Sequence, residues 1–111
     1  MKRTAYIGLL FGIIVGAVYV ERLPPVKMSA KSITPSEPSI SFTIRHPGRD
    51  IARTHVFTMM GEEVAELSAE SRSRFTWDGK DTDQQDVGPG FYVVQIEHNG
   101  SFWHGPVVVK R

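Results

Sequence analysis

The sequence contains no cysteine. That single absence removes disulfides, thiolate zinc sites, thiol nucleophiles and a lipid-modified N-terminal cysteine. It does not fix a compartment, because many exported bacterial domains manage without the residue. A surplus of charge is missing as well, since the formal net charge is +1. With no basic excess, nothing drives the chain toward nucleic acid. Catalytic signatures are also lacking: there is no G-x-S-x-G elbow, no phosphate-cradling loop, no internal repeat and no low-complexity tract.

What is present divides the 111 residues into three parts. Residues 1–20 start with Lys2 and Arg3 and continue as an uncharged run from Thr4 to Val20. A basic end followed by an apolar run is what an export signal requires. Val15-Gly16-Ala17 offers small residues for cleavage after Ala17. Left uncleaved, the run sits at the lower limit of about 17 residues for a spanning helix and would anchor the chain in the membrane. Residues 21–38 hold Pro24, Pro25, Pro35 and Pro38 and read as an extended linker. Residues 39–111 read as an all-β domain.

In that domain the alternation of Ile40, Phe42 and Ile44 with polar residues predicts a half-buried strand over 39–45. His46-Pro47-Gly48-Arg49-Asp50 reads as a turn. Further strands are expected over 51–59 with Val56 inward, 63–67 with Val64 inward, 74–77 and 91–97. A hairpin turn at Met60-Gly61-Glu62-Glu63 would join two of them, and Ser68 to Ser73 reads as a polar loop. Asn99-Gly100 is a strong hairpin signal. It leads to a last strand over 101–103 and 107–109, interrupted at Gly105-Pro106, where proline suits an edge or a bulge. Short strands without a helix indicate a small antiparallel β-sandwich of the immunoglobulin or fibronectin type. Its core would be Phe42, Val56, Phe75, Trp77, Tyr92, Val94 and Ile96.

The segment Phe75-Thr76-Trp77-Asp78-Gly79-Lys80-Asp81, followed by Val87-Gly88-Pro89-Gly90-Phe91-Tyr92, carries a resemblance. With Val56-Phe57, Met60-Gly61-Glu62-Glu63-Val64 and the closing Val107-Val108-Val109-Lys110, it resembles the immunoglobulin-like domain of the flagellar hook-capping protein. It is similar, too, to the C-terminal sorting sandwiches of the type IX secretion system. Thr58 stands where that family has Asp, Gln84 where a Gly turn is common, and Thr54 where a large aliphatic is usual. The resemblance implies a non-catalytic module used in surface assembly, adhesion or secretion. A hook-capping role itself is disfavoured, since flagellar substrates need no signal like residues 1–20.

Candidate sites are few. Asp78, Asp81, Asp83 and Asp86 form an acidic loop whose carboxylates could converge on calcium, which needs about six or more oxygens. The bland reading makes Trp77, Asp78, Gly79, Asp81, Gly90 and Tyr92 a structural corner, with Asp78 accepting turn amides. His46, His55, His98 and His104 show no ligand spacing, although His98 and His104 could face each other across the Asn99-Gly100 hairpin. Phe102 and Trp103 lie next to each other in a strand, so one of them faces out as a possible protein contact.

The expected function is therefore an exported, non-enzymatic module that binds a protein partner at the cell envelope, with no cofactor and no nucleic acid. The alternative is a secretion or sorting domain left from a longer secreted protein. A lesser alternative is a carbohydrate-binding sandwich using Trp77 and Trp103.

Overall fold

A computed structural model describes residues 25–47 and 52–111. The signal or anchor expected over 1–20 and most of the Pro47 to Asp50 turn lie outside these residues. Among the described residues no helix is long and apolar enough to cross a membrane.

Among the described residues nine strands build two sheets. They are β1 (Val26–Met28), β2 (Ser32–Ile33), β3 (Ile40–Ile44), β4 (Arg53–Thr58), β5 (Glu63–Leu67), β6 (Ala69–Ser71), β7 (Arg74–Trp77), β8 (Gly90–His98) and β9 (Ser101–Val109). One sheet runs β1-β3-β7-β6 and the other β2-β9-β8-β4-β5. All pairings are antiparallel except that of β2 with β9, which is parallel. The all-β sandwich expected from the sequence is the architecture observed.

Alternation decides which side chains enter the space between the sheets. Ile40, Phe42 and Ile44 from β3 and Phe75 and Trp77 from β7 face Val56 from β4, Tyr92, Val94 and Ile96 from β8, and Val107 and Val109 from β9. The seven expected core residues are all buried. Each such apolar side chain contributes about 1.5–3 kcal/mol on leaving water, so these few rings hold a small domain together.

Three stretches depart from expectation. The 21–38 segment, read as a linker, supplies β1 and β2, and Val26 and Ile33 are buried in the core. Pro25, Pro35 and Pro38 flank these strands instead of interrupting them, which is where a residue without an amide donor is tolerated. Ser68 to Ser73, read as a loop, contains β6, an exposed edge strand. In β5 Ala65 is buried, and Val64, expected inward, packs against the core but stays half-buried. A β-bulge is the cause: Val56 pairs with Ala65 but Phe57 with Glu63, leaving Val64 as the extra residue.

The hairpin between β8 and β9 forms as its sequence demands. Asn99 and Gly100 both take positive φ, 53° and 76°, the two left-handed residues of a type I′ turn. β9 is continuous through Gly105 and Pro106. Because β2 covers only Val108 and Val109, Pro106 lies on an open edge where no donor is required.

Candidate functional site

The acidic corner between β7 and β8 is closed by its own aromatics. Trp77 donates from Nε1 to the Lys80 carbonyl at 2.9 Å, and Tyr92 donates its hydroxyl to the Gly88 carbonyl at 2.8 Å. The two rings meet edge to face at 5.5 Å. This is the logic of the tyrosine corner, in which a buried ring spends its polar end on a carbonyl a few residues upstream. Gly79 takes φ 75° beside Ile33 and the Arg111 guanidinium, so it is the left-handed backbone there that favours glycine. Gly90, the other glycine of the expected corner, also takes positive φ, 147°.

Three of the four aspartate side chains are occupied locally. Asp78 Oδ1 accepts the Lys80 amide, and Asp81 Oδ1 accepts the amides of Asp83 and Gln85. Asp86 pairs with Lys80 Nζ at 3.0 Å, with Arg111 Nη1 at 3.9 Å. The hydrogen bond and charge of Lys80, then the charge of Arg111, hold the Asp86 carboxyl below its ordinary range. Arg111 also donates to the carbonyls of Val87 and Gly79, latching the last residue onto the corner. These four carboxylates do not come together as a metal-binding group among the described residues. Asp78 and Asp81 serve instead as turn acceptors, the same role that Asx side chains take in isolated turns, and Asp86 as an ion-pair partner.

The two turn residues that depart from the resembled pattern both fit their turns. Thr58 Oγ1 accepts the amides of Met60 and Glu62, as an aspartate would. Gln84 adopts φ 64°, the conformation a glycine would hold without strain.

The histidines do not pair. Register sets His104 opposite Gln95, whose Oε1 lies 2.9 Å from His104 Nε2, and His98 opposite Ser101. His98 Nε2 instead contacts the Pro47 carbonyl. The expected face-to-face arrangement fails because a two-residue turn at Asn99-Gly100 puts 98 across from 101, three residues short of 104.

Phe102 and Trp103 split between the faces as adjacent strand residues must. Phe102 points out and is 58% exposed, while Trp103 packs edge to face on Phe42 at 6.4 Å. Trp103 is therefore an inter-sheet residue rather than part of the outer surface. Trp77 is 1% exposed, so neither indole forms an open platform for a sugar.

The outer face of the five-stranded sheet carries the surface features. Cross-strand rows place Phe57, Val93 and Pro106 side by side, with Phe91 opposite Val108 in the next row and Glu97 opposite Phe102 at the far end. Phe91 is 63% exposed and the neighbouring Met59 66%. Phe91 is absent from the sequence-based candidates, although its alternation with buried Tyr92 was a sufficient signal. Between the apolar row and Phe102 lie His55, Gln95 and His104.

At the β5 edge of this face, His55 Nδ1 stands 3.2 Å from Glu63 Oε1. The contact lacks the alignment of a hydrogen bond, and Nδ1 is buried without a hydrogen-bond partner. Glu66 reaches the same point, and the ligating atoms of the three residues all lie within 4.8 Å of one another.

No protein-family model and no curated protein matches the sequence. Among solved structures the fold has clear counterparts. PorZ, a bacterial surface component of the type IX secretion system of Porphyromonas gingivalis, aligns over 78% of this chain with TM-score 0.60 and 14% identity. Dimeric latent PorU from the same organism aligns over 81% with TM-score 0.54 and 19% identity. The likeness is one of fold. This chain spans about a tenth of either protein, 11% and 10% of their lengths.

Proposed function

We propose that the domain is a secretion or sorting sandwich of a bacterial export route, recognised by a protein at the cell envelope and without catalytic activity of its own. The observation that carries this reading is the sandwich shared with PorZ and PorU, over about four-fifths of this chain. The basic-then-apolar start of residues 1–20 agrees with export. An exported assembly module of the hook-capping immunoglobulin-like type is the second reading. The outward Phe91 and Phe102 favour it, because exposed aromatics are enriched where proteins meet.

The test is a fusion of residues 22–111 behind a cleavable export signal and a reporter, expressed in a bacterium with a type IX secretion system. Arrival of the reporter at the cell surface or in the medium, lost when the secretion machinery is deleted, is the expected result. Retention of the reporter in the periplasm of the competent strain would sink the sorting reading and leave the assembly reading. Envelope crosslinking that returned no specific partner would then remove that one.

A further inference from the structure

We infer that His55, Glu63 and Glu66 form a binding site for a borderline divalent cation, of which Zn²⁺ is the representative, on the outer face of the five-stranded sheet.

The site exists because of the bulge in β5. In a regular strand residues three apart point to opposite faces, so Glu63 and Glu66 would be separated by the sheet. Leaving Val64 unpaired reverses the alternation at that point and brings Glu63 to the side of Glu66 and of His55 on β4. Re-aiming a side chain in this way is a recurrent use of bulges. The bulge is itself held: the Val64 carbonyl accepts the Thr82 amide at 3.0 Å and the Thr82 hydroxyl at 3.3 Å. Thr82 belongs to the acidic corner, whose turn is fixed by Asp81.

The donor set suits such an ion. Imidazole nitrogen with carboxylate oxygen favours zinc-class metals over calcium or magnesium, which take oxygen alone. Two ligands at about 2.1 Å from a tetrahedral ion stand about 3.4 Å apart. The 3.2 Å between His55 Nδ1 and Glu63 Oε1 is close to that spacing. The nitrogen is buried and has no hydrogen-bond partner. Two carboxylates and a neutral imidazole balance a dication, relieving the repulsion between like charges on one strand face. Arg53 Nη2 lies 3.6 Å from Glu66 Oε2, leaving the second oxygen of that carboxylate for the ion and orienting it as an outer-shell partner does. Glu63 and Glu66 are about half exposed, 45% and 53%. Both lie on an edge strand, so the ion has an entry path and an open fourth position.

Titration of the metal-stripped full-length chain with Zn²⁺ alone, by calorimetry, is the test. The expected result is one equivalent bound with a dissociation constant on the order of micromolar. Affinity should fall at least about tenfold in His55→Gln and in Glu63→Gln, a loss typical of disturbed metal ligation, and stay unchanged in His104→Gln. Absence of binding, or binding that both ligand variants retain, overturns the site. Should a variant misfold, the wild-type protein decides by itself. Zn²⁺ must then shift the imidazole nitrogen resonances of His55, and a shift at His46, His98 or His104 in its place overturns the assignment.

Discussion

Thr54 carries a hydroxyl into the centre of the sandwich, where it is 0% exposed and finds no hydrogen-bond partner. An orphaned hydroxyl costs about 1–3 kcal/mol in a protein interior. Thr54→Val keeps the shape and removes the polar atom. The variant is expected to be more stable by roughly 1 kcal/mol, read as a higher urea midpoint at unchanged slope; a lower midpoint would mean that the hydroxyl is satisfied in solution. At this scale much was legible. Alternation alone named Phe42, Val56, Phe75, Trp77, Tyr92, Val94 and Ile96 as interior. The substitution of Thr58 and Gln84 for more usual turn residues was visible, but its harmlessness was not. Whether a threonine oxygen caps two amides, or a glutamine accepts a left-handed backbone, depends on the folded turn and not on residue type.

Among elements, those with their own periodicity were readable and those that borrow order from neighbours were not. β3, β4, β7 and β8 alternate long enough to declare a buried face. β1, β2 and β6 are two or three residues long and exist through their partners. The β5 bulge defeated the alternation rule outright. Since one skipped residue moves every later side chain to the opposite face, alternation keeps Val64 on the core side, where it is only half-buried, but does not bring His55 and the two glutamates together. β9 shows a further dependence between close neighbours. The Trp103 ring lies over Gly105 so closely that an added Cβ would stand 2.2 Å from Cη2. Gly105→Ala should therefore push the indole off Phe42 and cost about 1–3 kcal/mol, the range for overpacking a filled core. Equilibrium denaturation followed by indole fluorescence measures it, and a variant as stable as the parent would show that the ring has room to yield.

For the molecule as a whole, the boundary of the domain lies earlier than the proline content implied. Val26 and Ile33 fill core positions and β1 and β2 each extend a sheet. Removing residues 1–38 strips two buried aliphatic side chains, worth about 1.5–3 kcal/mol each. For a domain whose total stability is on the order of 5 kcal/mol, that is most of the margin. Residues 39–111 are expected to show no cooperative thermal transition by circular dichroism, whereas residues 25–111 melt as a unit. A cooperative melt of the shorter piece within a few degrees of the longer one would restore the linker reading.

The parallel pairing of β2 with β9 has a mechanical side. Chain entering the domain passes through β1, held to β3 of the other sheet, and then into β2; chain leaving it follows β9, and β2 and β9 run in the same direction. Tension applied from the two sides first strips β1 from β3 and then slides β2 and β9 past each other along their length. The bonds Val108 amide to Lys31 carbonyl and Lys110 amide to Ile33 carbonyl then bear the load together rather than in succession. A zipper opens one link at a time under such a pull, and a lap joint does not. A domain threaded through an envelope, or held at its surface under flow, gains resistance to extraction from that joint.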